Sequence, residues 1–355
     1  MRDKGYVTIR GMKCPLVGVL CMDQCMADVT DVANVAEGDE AVIYGSGRDN
    51  TMDIPEAAAL AGTNKNEIIA RILGRINSVH SSQKITGAMK MISSARLRKS
   101  ENALNHARPY MEQLQNILDH IASEINDYQS PLSQNRPLQR VAIVMFAADE
   151  GLCGAFNLLL YKKLLETLKE YDGKVKSPIF VYPVGRKLVN DIKQTKGVEV
   201  MPIPDLFEKK QYAEGATTLA DELIRSFLKK DVDRVEVIYA HYKSMGTQII
   251  SREQLLPWIP RETKALSDKE RNKVYIYEPD CEKILETIYP LVIHSTMYRY
   301  LLENQTSEQA SRILSMQMAN DNAIKLLKNL QLEYNKLRQQ NITAELMDIV
   351  GGSIE

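Results

Sequence analysis

Two segments of the chain carry apolar residues at helical spacing over unusual lengths. The first begins near Lys65 and repeats apolar side chains mostly every three, four or seven residues as far as about residue 125. The second, from Leu291 to Val350, contains neither Pro nor Gly, and a helix of that length would be about 90 Å long. Because an apolar stripe on one face of a helix must be buried in water, the two segments are predicted to pair antiparallel as a coiled coil.

The segment between about residues 138 and 256 alternates strand-like and helix-like patterns. Strands are predicted where apolar residues run together, and helices where the apolar spacing lengthens to three and four. The strands are expected at 141–146, 179–184 and 235–240, and the helices at 156–171 and 213–230. This alternation predicts an α/β domain with a largely parallel sheet.

Short apolar runs separated by Gly- and Asp-containing turns extend from the N-terminus to residue 66, and eight of the 18 glycines lie before residue 76. Such runs are typical of short strands, so we expect a small β-barrel or sandwich. A helix is predicted to start at Ile54, with Pro55 in its first turn, and to end at Gly62.

The predicted fold class is therefore multi-domain. A small mainly-β domain precedes a long antiparallel α-helical coiled coil that is combined with an α/β (Rossmann-like) domain. The predicted boundaries are 1–66 for the β-domain, 67–130 for the first long helix, 131–276 for the α/β domain and 277–355 for the second long helix.

Charge is balanced over the whole chain, with 45 Lys and Arg against 46 Asp and Glu. This balance gives no support for binding to nucleic acid or to a membrane surface through bulk charge. Residues 76–108 differ, because they carry six basic side chains and one acidic one, Glu101. Solvated helices usually mix their charges, so we expect a contact surface for a partner here. The basic residues are Lys84, Lys90, Arg96, Arg98, Lys99 and Arg108.

Signals for export are absent from the sequence. No apolar run approaches the roughly 18 residues of a transmembrane helix, and the first ten residues lack the apolar core of a signal peptide. The five cysteines are too few and too scattered for a disulfide framework. We expect a chain that faces the cytosol, in a reducing compartment.

Motifs for catalysis are also missing. The histidines show no HExxH spacing, Cys21 and Cys25 have no second cysteine pair, and no GxSxG occurs. The turn at 148–154 resembles a nucleotide loop, but no Lys-Ser/Thr pair follows Gly154, so its glycines are interpreted as structural. We predict no catalytic residue, no cofactor and no metal.

Several motifs from residue 75 onward occur in the order found in one known family. They are RINSVHSSQKITGAMKM at 75–91, ADEGLCGAFN at 148–157, YEPD at 277–280, SEQASR at 307–312 and YNKLRQQNITAELMDIVGG at 334–352. This part of the chain, from about Ile76 to the C-terminus, resembles the gamma subunit of F-type ATP synthase.

The resemblance implies a rotary shaft that couples proton flow to ATP synthesis, with no active site of its own. Its implied partners are the alpha and beta subunits, which surround the helices, the epsilon subunit, and the membrane rotor (c) ring beneath the α/β domain. It also implies peripheral association with the cytoplasmic side of the cell inner membrane, and no nucleic-acid partner.

Six positions match the family's contacts with the alpha/beta head. Met89 and Lys90 match the segment that faces an acidic lever of the beta subunit. Arg338 and Gln339 match residues that hydrogen-bond a beta-subunit loop, and Thr343 and Glu345 lie on the next turn. An Arg can pair bidentately with a carboxylate, which makes such a contact dependent on orientation.

The N-terminal part of the chain, from about residue 4 to residue 75, resembles a different family. The runs GYVTIRGMKCPLVG at 5–18, CMDQCMADVTD at 21–31, EGDEAVIYG at 37–45 and GTNKNEI at 62–68 are similar to the C-terminal β-domain of alanine racemase, a pyridoxal-phosphate enzyme. By this resemblance, Met22 and Asp23 correspond to its substrate-carboxylate loop. The barrel with the Schiff-base lysine is missing, so the loop is expected to be vestigial.

The two resemblances meet near Arg75 and Ile76, at a join that is natural, engineered or an error of sequence assembly. We favour a gamma-type shaft that carries a racemase fragment. One alternative is a fragment of a pyridoxal-phosphate-dependent racemase fused to a coiled-coil protein, and another is a passive coiled-coil scaffold.

Overall fold

A computed structural model describes the chain as two compact units, unit 1 (1–85 and 319–355) and unit 2 (86–318). The described residues are 5–18, 25–43, 45, 50–52, 54–62, 65–124, 130–175, 178–259, 278 and 280–352.

Unit 1 begins with a small antiparallel sheet, which together with the helix that follows it (residues 5–62) we call the head. Its strands are β1 (Tyr6–Ile9), β2 (Met12–Val17), β3 (Met26–Ala27) and β4 (Ala41–Val42), in the order β3-β2-β1-β4. The β1–β2 turn is tight because Arg10 and Gly11 both have positive φ, as a two-residue hairpin requires. The predicted short strands are present, but those described form one sheet, which differs from the barrel or sandwich we expected.

The helix α1 (Ile54–Ala61) ends where predicted, because Gly62 adopts the left-handed conformation that terminates helices. The next helix, α2 (Lys65–Glu124), is 60 residues long and contains Pro109. It runs through the place where the two sequence resemblances meet, so no break in the backbone marks the join.

Unit 2 contains a five-stranded sheet with helices on both faces. Its strands are β5 (Val141–Phe146), β6 (Ile179–Val184), β7 (Val198–Val200), β8 (Arg234–Ser244) and β9 (Thr247–Leu256), in the order β7-β6-β5-β8-β9. The first four are parallel, and β9 is antiparallel to β8. The largely parallel sheet was predicted; β7 and β9 were not.

Successive residues of β5 belong to two different cores, as expected for a strand that is buried on both faces. Val141, Ile143 and Met145 pack in the core that includes α3 (Phe156–Tyr171). Ala142, Val144 and Phe146 pack in the core on the other face. The helices α4 (Val189–Lys193) and α5 (Tyr212–Leu228) complete the two layers.

The last helix, α6 (Cys281–Gly352), is 72 residues long and starts ten residues before the breaker-free run of the sequence. It continues through Pro290, although proline removes one helical hydrogen bond. Leu285, Ile288 and Tyr289 are buried in the second core of unit 2, and this burial compensates for the lost bond. Across 86–318, Leu97 of α2 packs with Ala310 and Ile313, so the two helices contact each other there.

Not every apolar residue at helical spacing is buried: Ile92 of α2 and Ile324 and Leu346 of α6, all expected in the apolar stripes of these segments, are exposed. The helical period explains two of them. At 100° per residue, Ile92 lies about 140° round the helix from the buried Leu97, and Leu346 lies about 180° from the buried Leu337. Within the described residues, none of the helices combines the length and the apolar content needed to cross a bilayer.

Candidate subunit-contact sites

The first candidate site lies on α2 in unit 2. Lys90 is exposed, and its ammonium group donates a hydrogen bond to the Gln317 side-chain oxygen on α6. Met89 is half-buried, whereas Met91, two residues further along α2, is 75% exposed. The site therefore presents a cation held by a neighbouring helix next to a flexible apolar side chain, a combination suited to an acidic partner with an apolar patch.

The basic residues that continue along α2 are also available to a partner. All six predicted members are exposed. Arg96 lies 3.6 Å from the Glu150 carboxylate, and both side chains are about half exposed, so this pair contributes little to stability. None of the six is buried in a core, and a contact role for them stays a prediction.

The second candidate site lies near the end of α6 in unit 1. Arg338 and Gln339 are exposed, while the preceding residue, Leu337, is only 2% exposed. Thr343 is exposed too, but its hydroxyl donates to the Gln339 carbonyl oxygen at 2.9 Å. Its hydroxyl hydrogen is therefore already used, and only its lone pairs remain for a partner. The Glu345 side chain lies outside the described part.

Leu337 is buried against the head rather than against another helix alone. It belongs to a cluster with Met52, Ala57, Ala58 and Ile68, which we call the head–shaft cluster. Sequence reasoning missed this contact, because the head and the end of α6 lie at opposite ends of the chain.

Two polar contacts extend the head–shaft cluster along the next turn of α6. The Gln340 side-chain amide donates to the Gly45 carbonyl oxygen at 3.4 Å, and the Asn341 amide donates to the Asn66 side-chain oxygen at 3.1 Å. The face of α6 that carries Leu337 is thus covered, while the face that carries Arg338 and Gln339 is open.

A buried arginine on α6 holds the turn after β5 in unit 2. Arg312 is 1% exposed, and its guanidinium donates to the carbonyl oxygens of Gly151 at 3.2 Å and Glu150 at 3.1 Å. The same group donates to the Glu308 carboxylate one helical turn earlier, at 2.7 Å. Ser311 adds a bond to the Cys153 carbonyl oxygen at 2.9 Å. We call this arrangement the Arg312 latch.

Burial shapes the chemistry of the Arg312 latch. It raises the pKa of the Glu308 carboxyl above its ordinary value, and the Arg312 guanidinium opposes that shift. Burial also raises the pKa of the Cys153 thiol, which argues against a reactive thiolate. Gly154 has a φ of +60°, and a Cβ there would lie 2.6 Å from the Ser315 hydroxyl. The glycine therefore serves close packing, as interpreted from the sequence.

Further polar residues of α6 join the helix to the sheet. Asn304 accepts a bond from the Ala240 backbone N–H at 3.0 Å, and Ser307 donates to the Ala240 carbonyl oxygen at 2.9 Å. Each of these groups is buried and paired, which removes the cost of burying them. They bind α6 directly to β8.

Comparisons with known proteins identify the family. A family model described as ATP synthase matches residues 69–354. The ATP synthase gamma chain of Phocaeicola vulgatus is 40% identical over 286 residues, which cover 81% of this chain and 99% of the relative. The chain belongs to the ATP synthase gamma chain family. The gamma chain of Bacteroides fragilis (strain ATCC 25285) is 42% identical over 284 residues, covering 79% and 97%.

Solved structures agree on the fold of this gamma chain. The rotor of the Euglena gracilis mitochondrial ATP synthase, in rotational state 1, gives a TM-score of 0.53 at 16% identity and covers 78% of this chain and 99% of its own. The OSCP/F1/c-ring structure of the same enzyme, in rotational state 3, gives 0.52 at 16% identity, with 81% and 94% covered. At this identity the likeness extends to the fold alone.

A second family model, the alanine racemase C-terminal domain, matches residues 1–80. It overlaps the ATP synthase match over residues 69–80, where the two resemblances were expected to merge. Met22 and Asp23, which form the racemase-like loop of the sequence, lie outside the described residues. Among the residues that are described, no group of three His, Cys, Asp or Glu side chains is placed to hold a metal ion.

Proposed function

We propose that this gamma chain is the central shaft of a rotary ATP synthase and couples proton flow to ATP synthesis. The observation that carries the proposal is the match to 97–99% of the length of the gamma chain relatives. The two helices of 60 and 72 residues support it, because helices of this length are stiff enough to transmit torque when they are paired. The comparisons favour this function over the racemase alternative, since the racemase match stops at residue 80.

We further propose that α2 and α6 form an antiparallel coiled coil. Within 86–318, Lys90 contacts Gln317, whereas Leu97, seven residues later, contacts Ala310. Residue numbers that rise on α2 and fall on α6 support opposite chain directions. The domain boundaries at 66, 130 and 276 belong to the same proposal, as does a Rossmann-like foot built on the parallel strands β5 to β8.

The proposed partners are the alpha and beta subunits around the helices, and the epsilon subunit and rotor ring at the foot. The complex would then hold the chain at the cytoplasmic side of the inner membrane, without a nucleic-acid partner. We propose that the chain itself is not catalytic and that ATP is made in the beta subunits.

Contacts with the alpha/beta head are assigned to the two exposed sites. Lys90 and Met89 would face an acidic element of the beta subunit, and the open Arg338 and Gln339 would bond a polar loop. Thr343 and Glu345 would flank that contact, with Thr343 acting as an acceptor. An exposed guanidinium gains most from a bidentate carboxylate, which would hold the shaft at one angle.

The test of these contacts is the double variant Arg338→Ala/Gln339→Ala in the reconstituted enzyme. We expect ATP-driven proton pumping to fall several-fold while thermal stability stays within about 0.5 kcal/mol, because both side chains are exposed. The matched control is Lys328→Ala, an exposed cation on the same helix. Unchanged pumping in the double variant would support a passive scaffold instead.

A further inference from the structure

The head is folded onto the end of the shaft. Leu337 of α6 is buried in the head–shaft cluster together with Ala57 and Ala58 of α1. The Tyr6 hydroxyl donates to the Glu56 carboxylate at 3.0 Å, which ties α1 to β1. The sheet and α1 therefore form one body that contacts α6, rather than a tail beside it.

We propose that the head is an autoinhibitory latch, which occupies the end of α6 in the free chain and must leave it before the alpha and beta subunits close around the shaft. This inference rests on the proposed function. The head covers the Leu337 face of α6, and the proposed subunit contacts Arg338 and Gln339 lie on the same turn. The head and the alpha and beta subunits would therefore contact the same few residues of α6.

The docked head and the alpha and beta subunits are too large to occupy this part of α6 at the same time. An α-helix with its side chains is about 10–12 Å wide. A compact body of 46 residues, the described part of the head, has a radius of gyration of about 9 Å, so its diameter as a solid sphere is about 24 Å, roughly twice the width of the helix. A ring of subunits that fits closely around the helices would have no room for the docked head.

The contact with α6 is narrow enough to open. In the described part of α6, Leu337 is the member of the head–shaft cluster that is buried, while Leu332 and Ile342 on either side are exposed. The bond from the Gln340 amide to the Gly45 carbonyl oxygen of the head, at 3.4 Å, can be exchanged for water, whereas the Asn341–Asn66 bond joins α6 to α2 and does not hold the head. The head can therefore leave α6 and stay attached through α2.

Limited proteolysis of the wild-type full chain tests the displacement directly. The chain is digested alone and after assembly with purified alpha and beta subunits and MgATP. If the head is displaced, its cleavage should be about tenfold faster in the assembled complex than in the free chain. Equal or slower cleavage in the complex would overturn the proposal, because the head would then remain docked.

Two variants on α1 provide a matched pair. Ala58→Arg places a long cation into the head–shaft cluster, whereas Ala59→Arg places the same side chain on the exposed face of the same helix. We expect Ala58→Arg to lower the concentration of alpha and beta subunits needed for half-maximal assembly by about tenfold, and Ala59→Arg to leave it unchanged. Circular dichroism checks that both chains are folded to the same extent.

The outcomes separate the two claims. If wild type and both variants assemble equally well, the autoinhibitory role of the head is wrong and the shaft function stands. If no form of the chain assembles, including Ala58→Arg, the proposed function fails and the autoinhibitory role of the head fails with it. If Ala58→Arg assembles more readily than the other two, both hold.

Discussion

Replacing Arg312 by Met removes the guanidinium at the centre of the Arg312 latch and keeps an unbranched apolar side chain in place of the arginine stem. Arg312 is 1% exposed and bonds the Glu308 carboxylate and two carbonyl oxygens of the turn after β5. The variant leaves Glu308 buried without its cation. It also frees the turn that α6 holds against the sheet.

The expected cost follows from the uncompensated carboxylate. Removing one member of a buried ion pair costs about 3–5 kcal/mol. The double variant Arg312→Met/Glu308→Gln removes both charges, so its cost should fall to about 1–2 kcal/mol, the value of the lost bonds to the turn carbonyls. Glu150 and Gly151 are not buried, so water can replace those bonds.

Urea unfolding provides the assay, because the single tryptophan, Trp258, is buried in a core of unit 2 and reports on that unit. With a slope of about 2–3 kcal/mol/M, the single variant should lower the midpoint by about 1–2 M. The control Arg96→Met removes an exposed cation that lies 3.6 Å from Glu150 and should change stability by less than about 1 kcal/mol. A cost for Arg312→Met no larger than the control's, or no recovery in the double variant, would refute the reasoning.

Three further predictions concern packing and pH. Gly154→Ala should destabilise the chain by about 1–3 kcal/mol more than Gly173→Ala in urea unfolding, because both have positive φ but only the first would meet a neighbouring side chain. Glu308→Gln should gain stability relative to wild type as the pH rises above the carboxyl's ordinary pKa of 4.5. The pKa raised by burial makes the folded chain hold that proton more tightly than the unfolded chain, so rising pH removes stability from wild type that the variant does not lose; a constant difference between the two curves would contradict this. Leu337→Ala should cost about 2–4 kcal/mol in thermal unfolding, while Leu332→Ala, which is 62% exposed, should stay within about 0.5 kcal/mol; equal costs would exclude the head–shaft cluster.

Local patterns predicted the elements that are buried in a regular way. The strands at 141–146 and 179–184 and the helix at 156–171 coincide with β5, β6 and α3. Each of these has a strong period, since the strands are apolar throughout and the helix repeats every three or four residues. The short edge strand β7 and the polar strand β9 lack such a period, so neither was predicted.

Contacts between distant residues could not be predicted in this way. The breaker-free run of the sequence starts only after Pro290, yet the buried residues around this proline carry α6 across it. In the sequence, Arg312 stood out only as the last residue of the SEQASR motif, and the carbonyl oxygens of a turn far away in the chain explain its burial.

The candidate contact residues were a different case, because a family resemblance rather than a pattern pointed to them. The structure places Lys90, Arg338 and Gln339 on exposed faces, as a partner would need, but their roles stay predictions. The resemblance did not indicate that the head covers the adjacent face at Leu337.

The most direct test of the shaft function is native mass spectrometry of the ATPase purified from the cells that make this chain. We predict one complex that contains this chain with alpha and beta subunits and that hydrolyses ATP. The intact mass of the released chain also shows whether the head is retained in the working enzyme. An active complex of alpha and beta subunits with a different gamma chain, and none of this one, would contradict the function.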